Sequence, residues 1–104
     1  MPVVFVSPPQ LTREQYEESV RRLRPGSDVL TSPSDWPVEG LLVHIAGEGS
    51  SGFHVVDVWE SEDALRRFGD LLMPILRELG VEGEPEIYQT QSFVSAQSWS
   101  LEPE

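Results

Sequence analysis

At 104 residues the chain makes one domain, and its 18 acidic against 7 basic side chains leave a formal charge of −11. That charge repels a phosphate backbone or an anionic membrane, so neither nucleic acid nor a membrane is expected as a partner. There is no cysteine and no lysine, which excludes disulfides, thiolate nucleophiles, cysteine-ligated metals and any Schiff base not made on the N-terminal amine. The start Met-Pro-Val-Val-Phe-Val lacks the charged n-region and apolar core of a signal peptide. No apolar run approaches the roughly 20 residues of a membrane span, so a mature, soluble, cytoplasmic chain is expected.

Val3 to Val6 predicts a short strand, ended by Ser7-Pro8-Pro9, because consecutive prolines neither donate to a ladder nor enter a helix interior. Thr12 and Gln15 have capping-box spacing at the start of a first helix, whose Tyr16, Val20 and Leu23 form one apolar stripe before Pro25-Gly26 stops it. Ser27 to Glu39 predicts a long loop tacked down by Val29, Leu30 and Trp36, either a packed connector or a lid over a cavity. Gly40 to Ala46 and Phe53 to Trp59 predict the second and third strands, with Gly47 to Gly52 as a hairpin loop too long for a tight turn. That glycine-rich loop joins two strands and has no lysine, so it does not make a phosphate cradle.

Ser61 supplies a cap for a second helix, Glu62 to Leu79, with Glu62 and Asp63 at the positive end of its dipole and Gly80 just past its end. Leu65, Phe68, Leu72 and Leu79 share one face, joined by Ile75 or Leu76, while Pro74 predicts a kink or break near Asp70 to Leu72. Ile87 to Val94 predicts a fourth strand. The order is β-α-β-β-α-β, an α+β ferredoxin-like subunit over residues 1–94, followed by a tail from Ser95 to Glu104 that carries Trp99 and Leu101.

Gly40-Leu-Leu-Val-His44, Val55-Val-Asp-Val-Trp-Glu-Ser-Glu-Asp-Ala64 and the break Leu71-Leu-Met-Pro74 resemble the dimeric α/β-barrel superfamily. More narrowly, the stretch from Val3 to Val94 is similar to small actinobacterial proteins related to antibiotic-biosynthesis monooxygenases. The resemblance implies a homodimer whose two sheets close a barrel around a hydrophobic, aromatic or polyketide-like small molecule. The activities it brings are cofactor-independent monooxygenation, lactone isomerisation and heme degradation; since it also includes proteins with no known reaction, a non-catalytic small-molecule-binding protein or a bare dimerisation module with a filled barrel is the alternative. Heme-degrading relatives carry an axial histidine on the second helix, and none lies between Ser61 and Gly80. No heme or other cofactor is therefore expected.

Hairpin parity decides which side chains meet a cavity, since residues opposite one another in an antiparallel pair share a face. One register sets Leu42, His44 and Ala46 with Phe53, Val55, Asp57 and Trp59, leaving Leu41, Val43 and Ile45 to pack under the helices. It keeps Asp57 away from helix side chains, where an unpaired carboxylate is costly. A cavity on the face away from the helices then holds His44 as acid or base and Asp57 as its orienting partner, walled by Phe53, Val55, Trp59 and Leu42. The other register sets His44 beside His54 and offers a weak metal site, which the favoured register removes. On the fourth strand either Gln89 and Gln91 or Tyr88 face the ligand, and Trp36 reaches it if the long loop is a lid. Trp59 is expected to anchor packing, and Trp36→Ala to change stability little.

Overall fold

The computed structural model describes residues 1–27 and 30–96. Its elements run β1 Val3–Val6, α1 Arg13–Leu23, a 3-10 turn at Pro33–Asp35, β2 Leu41–Gly49, β3 Gly52–Trp59, α2 Glu62–Glu78 and β4 Glu86–Gln89. The four strands form one antiparallel sheet in the order β2-β3-β1-β4, the ferredoxin-like arrangement expected from the element order. Trp99 and Leu101 of the expected tail lie outside the described residues, as does Val29.

Local chemistry sets the helix ends. Thr12 and Gln15 form a reciprocal capping box at the start of α1: the Gln15 amide donates to Thr12 Oγ1 at 3.1 Å and the Thr12 amide to Gln15 Oε1 at 3.0 Å. Ser61 Oγ accepts from the Ala64 amide at the start of α2. At its end Gly80, at φ +80°, lets the Gly80 and Val81 amides turn back to the carbonyls of Arg77 and Leu76. Of the kink or break expected near Asp70 to Leu72, the break is absent: α2 is continuous from Glu62 to Glu78 with Pro74 inside it. Asp70, the residue whose carbonyl loses its partner to the proline, is solvent-exposed, which is where a helix bears that loss at least cost.

Two strand expectations change. The loop at Gly47 to Gly52 is a tight hairpin, because β2 continues to Gly49 and pairs it with Gly52 across Ser50-Ser51. Glu48, in that extension, accepts from Arg13 Nη2 at 2.7 Å and ties the hairpin to α1. The fourth strand stops at Gln89 rather than Val94. Its neighbour β1 begins at Val3, preceded by Pro2, which has no amide to donate; the Thr90 amide and hydroxyl both donate to the Pro2 carbonyl and close the ladder there.

The core lies between the helices and one sheet face, where Val3, Phe5, Leu41, Phe53, Val55 and Trp59 pack against Leu65, Phe68, Leu72 and Leu76. A β-bulge is decisive for this face. Leu41 pairs with Trp59 but Val43 with Val58, so Leu42 is the extra residue and β2 resumes with His44 opposite Asp57. Simple alternation sets Leu41 and His44, three apart, on opposite faces; the bulge brings both under the helices.

Gly40 enters β2 at φ +115°, and a Cβ there would lie 2.6 Å from Ala64 Cβ, which is itself fully buried. Both the backbone and the contact exclude a side chain. Gly40→Ala is expected to destabilise the domain by at least about 2 kcal/mol, read as a fall in the urea midpoint. An unchanged midpoint would contradict this packing of β2 against α2.

Candidate functional site

Three elements bring polar side chains to one point inside this core. β3 places Asp57 there, β2 places His44 and α1 places Tyr16. Asp57 is only 2% exposed, and a carboxylate so deep needs a partner. His44 Nδ1 lies 2.6 Å from Asp57 Oδ1, and His44 Nε2 lies 2.8 Å from the Tyr16 hydroxyl. A carboxylate only accepts, so Nδ1 carries a proton. With Nε2 bare the ring accepts there from the Tyr16 hydroxyl, and with Nε2 protonated it donates to the Tyr16 oxygen.

Aromatic rings hold this chain in place. The edge of Trp36 meets the imidazole at 4.7 Å, the Tyr16 ring lies nearly parallel to the imidazole at 6.0 Å, and Phe53 packs on Tyr16 at 5.1 Å. Trp36 is positioned by Asp35, whose carboxylate accepts from the Thr31 and Ser32 amides and pairs with Arg24 at 3.2 Å.

Burial, and after it the negative charge of Asp57, push the Tyr16 phenol up to about 12. The hydroxyl is therefore protonated at neutral pH. A folded-state value above the ordinary 10 means that the unfolded chain ionises first, so this contribution to stability is intact below pH 10 and is lost as pH rises toward 12. Tyr16→Phe is expected to flatten that alkaline fall in urea-unfolding stability; an identical slope in the variant would contradict it.

The three residues line a cavity of about 40 Å³. Its walls come from α1 (Val20, Leu23), α2 (Phe68, Leu72, Leu76), the sheet (Phe5, Val55) and the connector (Leu30, Trp36). Ser7 and Ser19 also line it, each with its hydroxyl in one hydrogen bond: Ser7 Oγ accepts from the Val55 amide and Ser19 Oγ donates to the Tyr16 carbonyl. Tyr16, His44 and Asp57 supply the remaining polar chemistry. No arginine lines the cavity.

The expected pairing of His44 with Asp57 is present, but the expected face is not. The set His44, Phe53, Val55, Asp57 and Trp59 faces the helices, not the open side of the sheet. Asp57 tolerates that burial because His44 satisfies it. Val55 and Trp36 line the cavity, while Phe53 supports Tyr16 from behind. Trp59 is fully buried and stacks on Phe68, a core position that does not border the cavity. Leu42, displaced by the bulge, is 41% exposed and falls outside the site. Tyr88 pairs with Val4 on the open face, Gln89 is exposed on the edge strand and Gln91 lies beyond it, so none of the three borders this cavity. Trp36 is 8% exposed in the core cluster, which makes the loop around it a packed connector, and on that burial Trp36→Ala is expected to cost stability rather than to change it little.

His54 pairs opposite Gly47 on the far face and contacts Ser51 Oγ at 3.0 Å. Among the described residues no group of three histidine or carboxylate side chains is placed to hold a metal, and no helix is long and apolar enough to cross a membrane. Tyr16 escaped the sequence reading because it fits an apolar stripe. The available signal was that it alone in that stripe carries a hydroxyl.

The fold and site thus define a ferredoxin-like α+β subunit with a Tyr-His-Asp chain buried between helices and sheet. Among solved structures the chain is similar to a monooxygenase from the gene ActVA-Orf6 of Streptomyces coelicolor, crystallised in complex with the ligand nanaomycin D. The two share 21% sequence identity with a TM-score of 0.48, over 90% of each chain. No protein-family model and no curated protein matches the chain.

Proposed function

We propose that this protein is a cofactor-independent enzyme acting on a neutral, hydrophobic, aromatic or polyketide-like small molecule, with His44 as its acid–base group and Asp57 as the residue that orients it. The observation that carries this reading is the imidazole held between a buried carboxylate and a phenol on the wall of an apolar cavity. The sequence resemblance to antibiotic-biosynthesis monooxygenases supports the reaction class: removing a proton from an aromatic enol or phenol leaves an electron-rich anion that molecular oxygen can oxidise. The absence of arginine from the lining favours a neutral substrate over a phosphorylated one.

A cavity of about 40 Å³ has room for a few waters, at the 10–15 Å³ that each needs, roughly. A polycyclic substrate therefore requires the wall to move. Trp36, on a connector outside the sheet ladder, is the part of that wall resting directly on His44.

The test is 1,8-dihydroxyanthrone, whose enol tautomer is such an acid, incubated with the protein in aerated buffer. The expected result is uptake of one O2 per anthrone with conversion of its methylene to the quinone carbonyl and release of one water. Tight binding of the anthrone without turnover would replace the enzyme by a sequestering protein.

We also propose that two copies pair through the open sheet face, where Val6, Val43, Ile45, Val56 and Tyr88 carry apolar surface and Ile45 and Tyr88 are 59% and 49% exposed. Sedimentation should show a dimer at micromolar concentration; a monomer would refute the pairing.

A further inference from the structure

Both ring nitrogens of His44 are occupied, Nδ1 by Asp57 and Nε2 by Tyr16. A ligand in the cavity thus meets no free imidazole nitrogen. The Tyr16 hydroxyl, in contrast, has His44 as its one hydrogen-bond partner among the described residues. It offers one donor and two acceptor positions, so an acceptor position remains for a ligand.

We infer that Tyr16 is the catalytic residue that touches the substrate, and that protons pass between a substrate hydroxyl and His44 through the Tyr16 oxygen. This rests on the acid–base reading of His44 proposed above and adds a substrate class, an ionisable phenol or enol O–H. In the forward step the substrate O–H bond breaks and its proton joins the Tyr16 oxygen, while the Tyr16 O–H bond breaks and its proton joins His44 Nε2. Tyr16 is left neutral, the substrate carries one negative charge and the imidazolium carries one positive charge against Asp57. The hydrogen bond then reverses: Nε2–H donates to the Tyr16 oxygen, and the Tyr16 hydroxyl donates to the substrate oxyanion. The high phenol pKa fits this role, because Tyr16 does not rest as a phenolate and so passes the charge on to His44 instead of keeping it.

The geometry assigns the direction of one bond, since Nδ1 faces a carboxylate at 2.6 Å and must carry a proton; the relay requires in addition that Nε2 of the resting ring be the acceptor from Tyr16. The 15N spectrum of the imidazoles in the wild-type protein near neutral pH should show His44 as the Nδ1–H tautomer with Nε2 as acceptor. A neutral Nε2–H tautomer would overturn the relay without any variant being made.

The second arm titrates 4-nitrophenol, whose phenolate is visible, into wild type, Tyr16→Phe and His44→Asn. Tyr16→Phe keeps the ring contacts with His44 and Phe53 and removes the hydroxyl alone. In wild type the bound probe's apparent pKa should fall by about one unit, a tenfold rise in its phenolate ratio, and Tyr16→Phe should abolish that shift. A full shift in Tyr16→Phe together with its loss in His44→Asn would overturn the relay while leaving His44 as the base. A full shift in both variants would overturn the acid–base reading itself, and failure of wild type to bind the phenol would overturn the substrate class.

Discussion

Trp59→Ala is expected to lower the stability of the domain by about 3–5 kcal/mol, a large part of what a chain of this size possesses. Trp59 is fully buried at the end of a central strand, between Leu41 on β2 and Val3 on β1, with Phe68 of α2 stacked on it at 5.0 Å. It joins three strands to a helix, and a methyl group leaves a void that rigid neighbours fill poorly. The indole adds little through its polar atom, since Nε1 is buried with no partner among the described residues. Trp59→Phe should accordingly cost much less than Trp59→Ala, because it keeps a ring on Phe68 and removes an unsatisfied donor. Thermal and urea unfolding of the two variants check this. A Trp59→Ala protein as stable as wild type would show that the core does not depend on this ring.

His44→Asn is expected to reduce turnover of 1,8-dihydroxyanthrone by about 10²- to 10⁴-fold, the usual contribution of a positioned acid–base group. Asparagine is the informative replacement. Its amide can still donate to Asp57, so the buried carboxylate is not abandoned and loss of activity is not confounded with loss of fold. Asp57→Asn should fall between wild type and His44→Asn, since the imidazole remains but loses the acceptor that fixes its tautomer. Unchanged rates in His44→Asn, with near-ultraviolet circular dichroism like wild type, would remove His44 from the reaction.

Much of the fold was legible because the local signals agree with one another. The capping box at Thr12, the cap at Ser61 and the left-handed turn at Gly80 appear where residue chemistry set them, and the β-branched runs pair as strands. Parity restricts the neighbour of His44 to His54 or Asp57, and the ground for choosing Asp57, that it keeps the carboxylate away from the helices, is not the one the structure uses. What parity does not reveal is the bulge at Leu42, which needs no special residue and lets Leu41 and His44 share a face. The face of the sheet does not follow from the cost of burying a carboxylate alone, because His44 supplies the compensating hydrogen bond to Asp57. Tyr16 was hidden by its spacing: a tyrosine on an apolar stripe looks like core until a facing strand shows what its hydroxyl meets. The short β4 had no local cause either, as it ends where its partner β1 runs out at Pro2.

The two histidines report on the two faces of the sheet, His44 beneath the helices and His54 on the open side. The most direct measurement is therefore the 15N-histidine spectrum of the protein as 1,8-dihydroxyanthrone is added under anaerobic conditions. Binding in the cavity predicts that the His44 ring resonances move and those of His54 stay fixed; movement of His54 with His44 unchanged would place the ligand on the open face and contradict the site.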